Sequence, residues 1–406
     1  MVSLRENTVL QIHRIFSHQP LLETADDNAF AKMLRLTVCR HGISLAKIIN
    51  NYLAKKIPNK HALAQTVLIT AAAELLFMDS PIYAVINSYV DITKHRCGKS
   101  LSGLVNAVLH NLSKNKKVIL AEYHQQFFPD SFREILKSDY SPQTIDQIEK
   151  AAGNEPPLNI TVKKDPQQWA EKLGGKLISG HTLTLTQPGK IENLPGYTEG
   201  QWWVQDFAAS LAVRQFSALS GKRILDLCAA PGGKTAQLLV AGAHVTSLDC
   251  SETRLDTLRH NLQRLNLKPE KIICADALDY LQNFNEQPFD GILLDAPCSA
   301  TGIFRRHPEI VFTKTQDDVN KQAILQKKLL QNLTSALKIG GELIYCTCSI
   351  THAEGELQIL DFVKNYPNFK IIPLSEENDF IRTLPFQYAE TGGCDAFFVA
   401  KLIRKA

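Results

Sequence analysis

Residues 223–235 read Arg-Ile-Leu-Asp-Leu-Cys-Ala-Ala-Pro-Gly-Gly-Lys-Thr. The apolar run Ile224–Leu227 has the length and composition of a buried strand, and the small residues and glycines after it form a tight turn. The pattern then keeps alternating. Candidate strands are Ile224–Leu227, Val245–Leu248, Lys271–Cys274, Gly291–Leu294 and Glu342–Cys346, with helices such as Thr235–Ala241, Glu252–Leu265 and Asp317–Leu337 between them. Alternation of this kind predicts a parallel, doubly wound, Rossmann-like sheet. In such sheets the ligands sit at the carboxyl ends of the strands.

The turn from Asp226 to Thr235 leads into a helix N-terminus, where small residues let the backbone come close to a ligand. A dinucleotide fold needs Gly-x-Gly-x-x-Gly, and an ATP-binding loop needs four residues between its first Gly and Gly-Lys; neither spacing is present. Asp249 ends the second strand, at the place where an acid meets ribose hydroxyls. Asp276 ends the third, positioned for a base edge, and Asp295 ends the fourth. A lone Asp in such a place is more often a helix cap. Three in series beside a glycine turn suit a ligand with ribose, adenine and a cationic amino-acid tail, which is S-adenosylmethionine.

Two more strand ends carry thiols. Residues 343–350 read Leu-Ile-Tyr-Cys-Thr-Cys-Ser-Ile, placing Cys348 at a carboxyl end, and Ile292-Leu293-Leu294-Asp295-Ala296-Pro297-Cys298 repeats the arrangement. Alone, these would read as buried structural cysteines. Beside a methyl donor they suit a specific chemistry. Carbon 5 of cytosine is a poor nucleophile until a thiolate adds to carbon 6 and makes the ring an enamine. After methyl transfer, loss of the carbon-5 proton and the thiolate restores aromaticity. This needs a thiol, a group bonding the pyrimidine at N3/N4, and a base. The chemistry does not rank the two thiols. Cys346 lies one pleat deeper and reads as structural.

The chain has 406 residues, enough for two or three domains, with hydrophobic content of 44% and charged content of 21%, as in ordinary globular proteins. It lacks a run of about 18 uncharged apolar residues and an N-terminal leader pattern, which implies a cytoplasmic protein away from membranes. Its nine cysteines include no Cys-x-x-Cys pair, so neither a disulfide framework nor a metal site is expected. Residues 1–130 hold 15 Lys/Arg against 9 Asp/Glu, a balance of +6, whereas the remainder holds 30 against 32. A basic module joined to a near-neutral one suggests a polyanionic partner for the first.

That first part is helical by pattern. Val9, Ile12, Ile15 and Phe16 share a face, as do Phe30, Met33, Leu34 and Val38. Residues 63–78 are apolar nearly all round and predict the central helix of an all-α bundle. Ser80-Pro81 closes it, Ile82–Lys94 starts another helix, and Leu104, Val105, Val108 and Leu109 give a further amphipathic face. Lys94, Arg96 and Lys99, with Lys114, Lys116 and Lys117, gather near the last helices. The stretch LLFMDSPIYAVINSYVDITK followed by LSGLVNAVLHNL resembles the helical RNA-binding domain of the NusB family. That resemblance makes Lys94, Arg96 and Lys99 candidate RNA contacts, although His110 stands where the family carries Arg.

Residues 131–200 read as a small α+β connector, with strands at Leu158–Val162, Leu177–Ile178 and Thr182–Leu185 and a helix around Pro166–Leu173. Gln205-Asp206 then opens a helix running toward Leu219. The adjacent Trp202 and Trp203 offer faces for base stacking, though such pairs more often serve packing. The expected layout is 1–130 bundle, 131–200 connector and 201–406 catalytic domain.

Taken together, DLCAAPGGKT, DAPCSATG followed by RRHPE, and YCTCS resemble the signatures of the RNA 5-methylcytosine methyltransferases. With its NusB-like front, the whole layout is similar to the group that acts on bacterial 16S rRNA. The resemblance implies that Cys228, Ala229, Ala230, Pro231, Gly232, Gly233, Lys234, Asp249, Asp276 and Asp295 hold S-adenosylmethionine. It makes Cys348 the nucleophile and Cys298 the group that assists release, with Asp295 at the cytosine and Lys234 in positioning or proton transfer. Arg305 and Arg306 are implied to reach RNA phosphate. Departures are Asn159–Lys163 in place of Trp-Leu-Arg-x-Asn, Ser210 in place of Gln, His352-Ala353-Glu354 in place of Pro-Glu-Glu, and Ala396 in place of Gly. Other readings are a non-catalytic assembly or antitermination factor, and methylation of tRNA or other rRNA. An adenine-N6 or protein methyltransferase fits less well, because Asp295-Ala296-Pro297-Cys298 is not the Asp/Asn-Pro-Pro-aromatic unit of amino-group methylation.

Overall fold

The computed structural model describes residues 3–19, 28–186 and 189–406. The chain folds as two compact units, Met1–Asn154 with Phe304–Thr315, and Glu155–Ile303 with Gln316–Ala406.

The first unit is a helical bundle built around the helix Ala62–Phe77, one residue offset from the predicted 63–78. Its Val67, Leu68, Ala71, Ala72 and Leu75 are buried against the helices Leu4–Phe16, Ala29–Asn50, Ile82–Arg96 and Lys99–Lys114. Ala-rich sequence allows this close approach on every side. Within it Glu74 is fully buried, and the Arg5 guanidinium at 2.6 Å and the Tyr89 hydroxyl at 2.8 Å satisfy its carboxylate. The helices Asp130–Lys137 and Pro142–Ala152 belong to this unit too.

So does the segment Phe304–Thr315, and here the structure corrects an expectation. Phe304 is fully buried, edge-on to Phe128 and Phe132 with ring centroids 5.2 and 5.8 Å away. Phe312 packs on Phe16, and its carbonyl accepts from His18. Arg305 is only 2% exposed, and its backbone carbonyl accepts from Arg40 at 2.9 Å. Arg305 is therefore part of a packed anchor and not a surface group for RNA phosphate, while Arg306 is half-buried. The apolar Phe304, Ile310, Val311 and Phe312 on either side of the charges decide the outcome. Lys94, Arg96 and Lys99 are exposed; Lys94 pairs with Asp91 and Arg96 with Glu6.

The second unit begins with a four-stranded antiparallel sheet of β1 (Leu158–Val162), β2 (Lys176–Ser179), β3 (Thr182–Leu185) and β4 (Trp202–Val204), in the order β2-β3-β1-β4. Trp202 and Trp203 are 0% and 4% exposed, and their indole N–H groups donate to the Pro195 carbonyl and the Gln205 amide. They pack, and are not available to stack on bases. The helix expected from Asp206 to Leu219 is only a capped turn, Phe207–Ser210, followed by a short 3-10 turn at Val213–Gln215.

The main sheet holds β5 (Arg223–Leu227), β6 (His244–Asp249), β7 (Lys271–Cys274), β8 (Phe289–Asp295) and β9 (Leu337–Thr347). It is completed by β10 (Phe369–Ile371), β11 (Phe380–Thr383) and β12 (Phe397–Arg404). The order is β10-β12-β9-β8-β5-β6-β7, with β11 paired to β12. Strands β5 to β9 are parallel as expected, but β12 runs antiparallel to β9, so the sheet is mixed. Its first strand, β5, lies between β6 and β8. The chain thus winds from β5 through β6 to β7 on one side and crosses back to β8 on the other, which opens a crevice at the carboxyl end of β5. Among the described residues, no helix is long and apolar enough to cross a membrane.

Candidate active site

The parallel register delivers the chemistry to one edge. Asp295 on β8 is paired with Cys346 on β9, so the loops that follow start side by side. Strand β9 ends at Thr347, and Cys348 leaves the sheet half-buried. The loop after β8 brings Cys298 back toward it, and the two Sγ atoms lie 3.3 Å apart. Asp295 lines the same cleft: its Oδ2 accepts from Lys234 Nζ at 2.7 Å and its Oδ1 from the Cys346 thiol at 3.5 Å. Cys346 is fully buried, so it steadies the carboxylate from within the sheet.

Electrostatics separates these groups. The hydrogen bond with Cys348, then burial, pushes the Cys298 thiol well above its ordinary range. Cys298 is thus held as a proton-bearing thiol. Burial works to lower the Lys234 ammonium, but the charge of Asp295 and the neighbouring thiols outweigh it, and its pKa is raised. Lys234 stays a cation locked to Asp295.

One cleft of about 450 Å³ is lined by Cys228, Asp249, Asp276, Asp295, Cys298 and Cys348, with apolar walls from Leu248, Leu278, Leu325 and Leu329. Such a volume falls in the range of small-molecule sites. Asp276 caps the helix Ala277–Gln282 through Oδ1, and its Oδ2 carries no hydrogen bond among the described residues. Asp249 is 1% exposed and accepts from the Ala230 and Ser251 amides, so it also pins the glycine turn. Ala229, Ala230, Pro231, Gly232, Gly233 and Lys234 line a neighbouring cavity of about 520 Å³, together with Trp203, Gln205, Asn261 and Arg264. The ten cofactor candidates therefore divide between two cavities, and Asp295 lines both. At Gly232 the turn takes φ of +99°, which a side chain rarely adopts, and the helix Gly233–Val240 starts directly after it.

Behind the turn, Asp226 is fully buried, accepting from Thr235 Oγ1 at 2.6 Å, and its Oδ1 has no partner among the described residues. Burial, chiefly, raises its carboxyl from 3.8 to about 7. The unfolded chain gives up this proton near pH 3.8 while the folded chain keeps it to about pH 7, so raising pH through that window favours unfolding. The loss amounts to as much as roughly 4 kcal/mol. Urea unfolding at pH 4, 5.5 and 8 should show it: the stability gap between Asp226→Asn and wild type should move in favour of the variant as pH rises. A gap independent of pH would contradict the assignment.

Gly302 is where the two thiol loops meet β12. Its amide donates to the Cys348 carbonyl at 2.9 Å, and its carbonyl accepts from Ala396 N at 3.0 Å. A Cβ there would lie 2.2 Å from the Ala396 carbonyl oxygen and 2.7 Å from that of Cys348. Gly302→Ala must therefore push the Cys348 loop away. Activity should fall by about 100-fold, the scale expected for a displacement near 1 Å, with stability lowered by about 1–3 kcal/mol. Turnover assays and thermal unfolding of the purified variant check both.

Glu354, Ser299, Ser349 and Gln326 are not among the residues expected from sequence, yet they surround the thiol loops. Glu354 is fully buried and accepts from Ser299 N at 2.7 Å and from Ser349 Oγ at 2.6 Å. A signal was present: both thiols begin the same pattern, Cys298-Ser299-Ala300-Thr301 and Cys348-Ser349-Ile350-Thr351.

The profile of the 16S rRNA methyltransferase RsmB/F family matches residues 216–403, and that of the NusB family matches residues 4–114. The chain is 34% identical to ribosomal RNA small subunit methyltransferase B of Vibrio cholerae, over 93% of this chain and 90% of that protein. It is likewise 34% identical to the protein of that name from Pasteurella multocida, over 90% and 85% of the two chains. A solved methyltransferase homolog protein from Pyrococcus horikoshii is 26% identical with a TM-score of 0.56, covering 68% of this chain and all of the other.

Proposed function

The chain belongs to the RsmB/F family of rRNA methyltransferases, and from that premise we propose that it methylates carbon 5 of a cytosine in 16S rRNA through a transient bond to Cys348. The observation that carries the covalent step is the pair of Sγ atoms 3.3 Å apart in the cleft that Asp295, ion-paired with Lys234, also lines.

S-adenosylmethionine fits the residues present. The 450 Å³ cleft is lined by both thiols and by Asp249, Asp276 and Asp295, acceptors of the kind that ribose and adenine require. Asp249 and Asp276 would hold the nucleoside, and the turn after Cys228 would hold the amino-acid tail. When bound, it supplies the electrophilic methyl group.

The protein's own groups then divide the work. Cys348 releases its proton to water and, as thiolate, forms the bond to carbon 6 and pushes electron density to carbon 5. Asp295 would accept from the amino group at the pyrimidine N3/N4 edge, and Lys234, 2.7 Å away, fixes its orientation and balances its charge. After methyl transfer the carbon-5 proton must leave and the carbon–sulfur bond must break. Once Cys348 is tied up in the adduct, the hydrogen bond that raised the Cys298 pKa most is gone. Cys298 then gives up its own proton to water, and its thiolate takes the one from carbon 5 as the carbon–sulfur bond breaks and its electron pair returns to Cys348.

Exposed Lys94, Arg96 and Lys99 on the helical unit support RNA contact there by charge. The division of labour is a bundle that grips RNA and a sheet that does chemistry. The direct test incubates purified protein, labelled S-adenosylmethionine and protein-free 16S rRNA, followed by nucleoside analysis. 5-Methylcytidine is expected. Absence of both methylation and cofactor binding would favour a non-catalytic assembly factor instead.

A further inference from the structure

The carboxylate of Glu354 is 0% exposed, and no cation touches it among the described residues. A buried acid of this kind is costly unless hydrogen bonds surround it. They do. Its Oε1 accepts from Ser299 N at 2.7 Å and Gln326 Nε2 at 3.1 Å. Its Oε2 accepts from Ser299 Oγ at 2.5 Å, Ser349 Oγ at 2.6 Å and Thr351 Oγ1 at 3.3 Å.

The donors come from three places that matter. Ser299 follows Cys298, Ser349 follows Cys348, and Gln326 lies on the helix Gln316–Asn332 that walls the cleft. Thr301 Oγ1 bridges the two serines at 2.9 and 3.0 Å, and Gln326 Nε2 also donates to the Pro297 carbonyl at 2.9 Å. The backbone carbonyl of Glu354 is held in turn by the hydroxyls of Tyr345 at 2.9 Å and Thr347 at 3.3 Å, both on β9. One carboxylate therefore ties the residue after each thiol to the same point. Charge-assisted bonds are the strong and short ones, so this knot, more than the loops' own conformations, fixes how the two sulfurs face each other.

We propose that Glu354 is a positioning residue for the two-thiol chemistry: it never touches substrate, but it sets the separation of Cys298 and Cys348 and thereby the rates of attack and release. The inference rests on the covalent mechanism above, and it assigns a role within it to a residue outside the cleft.

The test uses the full-length protein and Glu354→Gln, which keeps the shape and removes the charge that draws the five donors together. Cofactor affinity should stay within about 2-fold, and the KM for 16S rRNA should change little, while kcat falls by roughly 30- to 100-fold, as for a small misplacement of reacting groups. A second readout needs no turnover. Diamide oxidises neighbouring thiols to a disulfide and is itself reduced to the hydrazine, so wild type should form the Cys298–Cys348 cross-link readily. Glu354→Gln should form it about 10-fold more slowly, since the sulfurs must meet by chance.

If Glu354→Gln fails to bind cofactor, the double variant Ser299→Ala with Ser349→Ala removes the same knot from the donor side and is expected to show the same pattern. Wild-type kcat, or wild-type cross-linking, in the folded variant would overturn the proposal. So would a loss confined to KM. Failure of the covalent mechanism itself shows elsewhere: Cys298→Ala with Glu354 intact would then trap no protein–RNA adduct.

Discussion

Replacing Cys348 with alanine is expected to abolish methylation, by at least about 10⁴-fold, while leaving cofactor binding and folding intact. The size follows from the lack of a substitute. Cys346, two residues back, is fully buried with its thiol turned onto Asp295. Cys298 loses its hydrogen-bond partner in this variant, but burial still raises its pKa, and as the group proposed to take the carbon-5 proton it serves release and not attack. Cys228 is also pushed up, by burial first and then by the surrounding acids, and so is a poor nucleophile. The side chain of Cys348 carries little of the core, since it is half-buried at a strand end. Methyl transfer to 16S rRNA and a thermal melt with and without S-adenosylmethionine separate the two effects. No 5-methylcytidine and no adduct, with an unchanged melt, is the expected outcome. An adduct formed by Cys348→Ala would instead reverse the roles of the two thiols.

Much of this site was legible in the chain because its chemistry lies at the ends of short apolar strands. Parallel strands covered on both faces read as plain hydrophobic runs, and Ile224–Leu227, Val245–Leu248 and Gly291–Leu294 fall within β5, β6 and β8. Strand β9 begins at Leu337, five residues before its predicted start, because Leu337 pairs with Phe289 across the irregularity that Gly340-Gly341 allows. The antiparallel β10 and β11 were missed: three and four residues long, they take their shape from β12 and not from their own pattern. Arg305 was misplaced for a related reason. Charge is visible in a sequence, but whether Phe304 finds three phenylalanine rings from residues 127–132 is not. Glu354 was hidden by distance, since its donors lie up to 55 residues from it in the chain and converge only in the fold.

Replacing Cys298 with alanine should give the opposite phenotype to the Cys348 variant: turnover is lost, but a protein–RNA species resistant to denaturant accumulates. In the proposed mechanism attack needs Cys348 and Asp295, neither of which the substitution removes. Release needs a group to accept the carbon-5 proton, and Cys298, acting as thiolate once the adduct has formed, is held with its sulfur 3.3 Å from that of Cys348. Without it the carbon–sulfur bond persists, because elimination cannot proceed until that proton leaves. Removing the Cys298 thiol also relieves Cys348 of a hydrogen-bond partner, so adduct formation is not expected to slow. Denaturing gels with labelled 16S rRNA should show a shifted band for Cys298→Ala, none for Cys348→Ala, and none for the double variant. The band should require S-adenosylmethionine if methylation precedes the block, and its nucleoside should then carry the methyl group. A Cys298→Ala enzyme that turns over at the wild-type rate would show that another base, such as a water ordered by Asp295, completes the reaction.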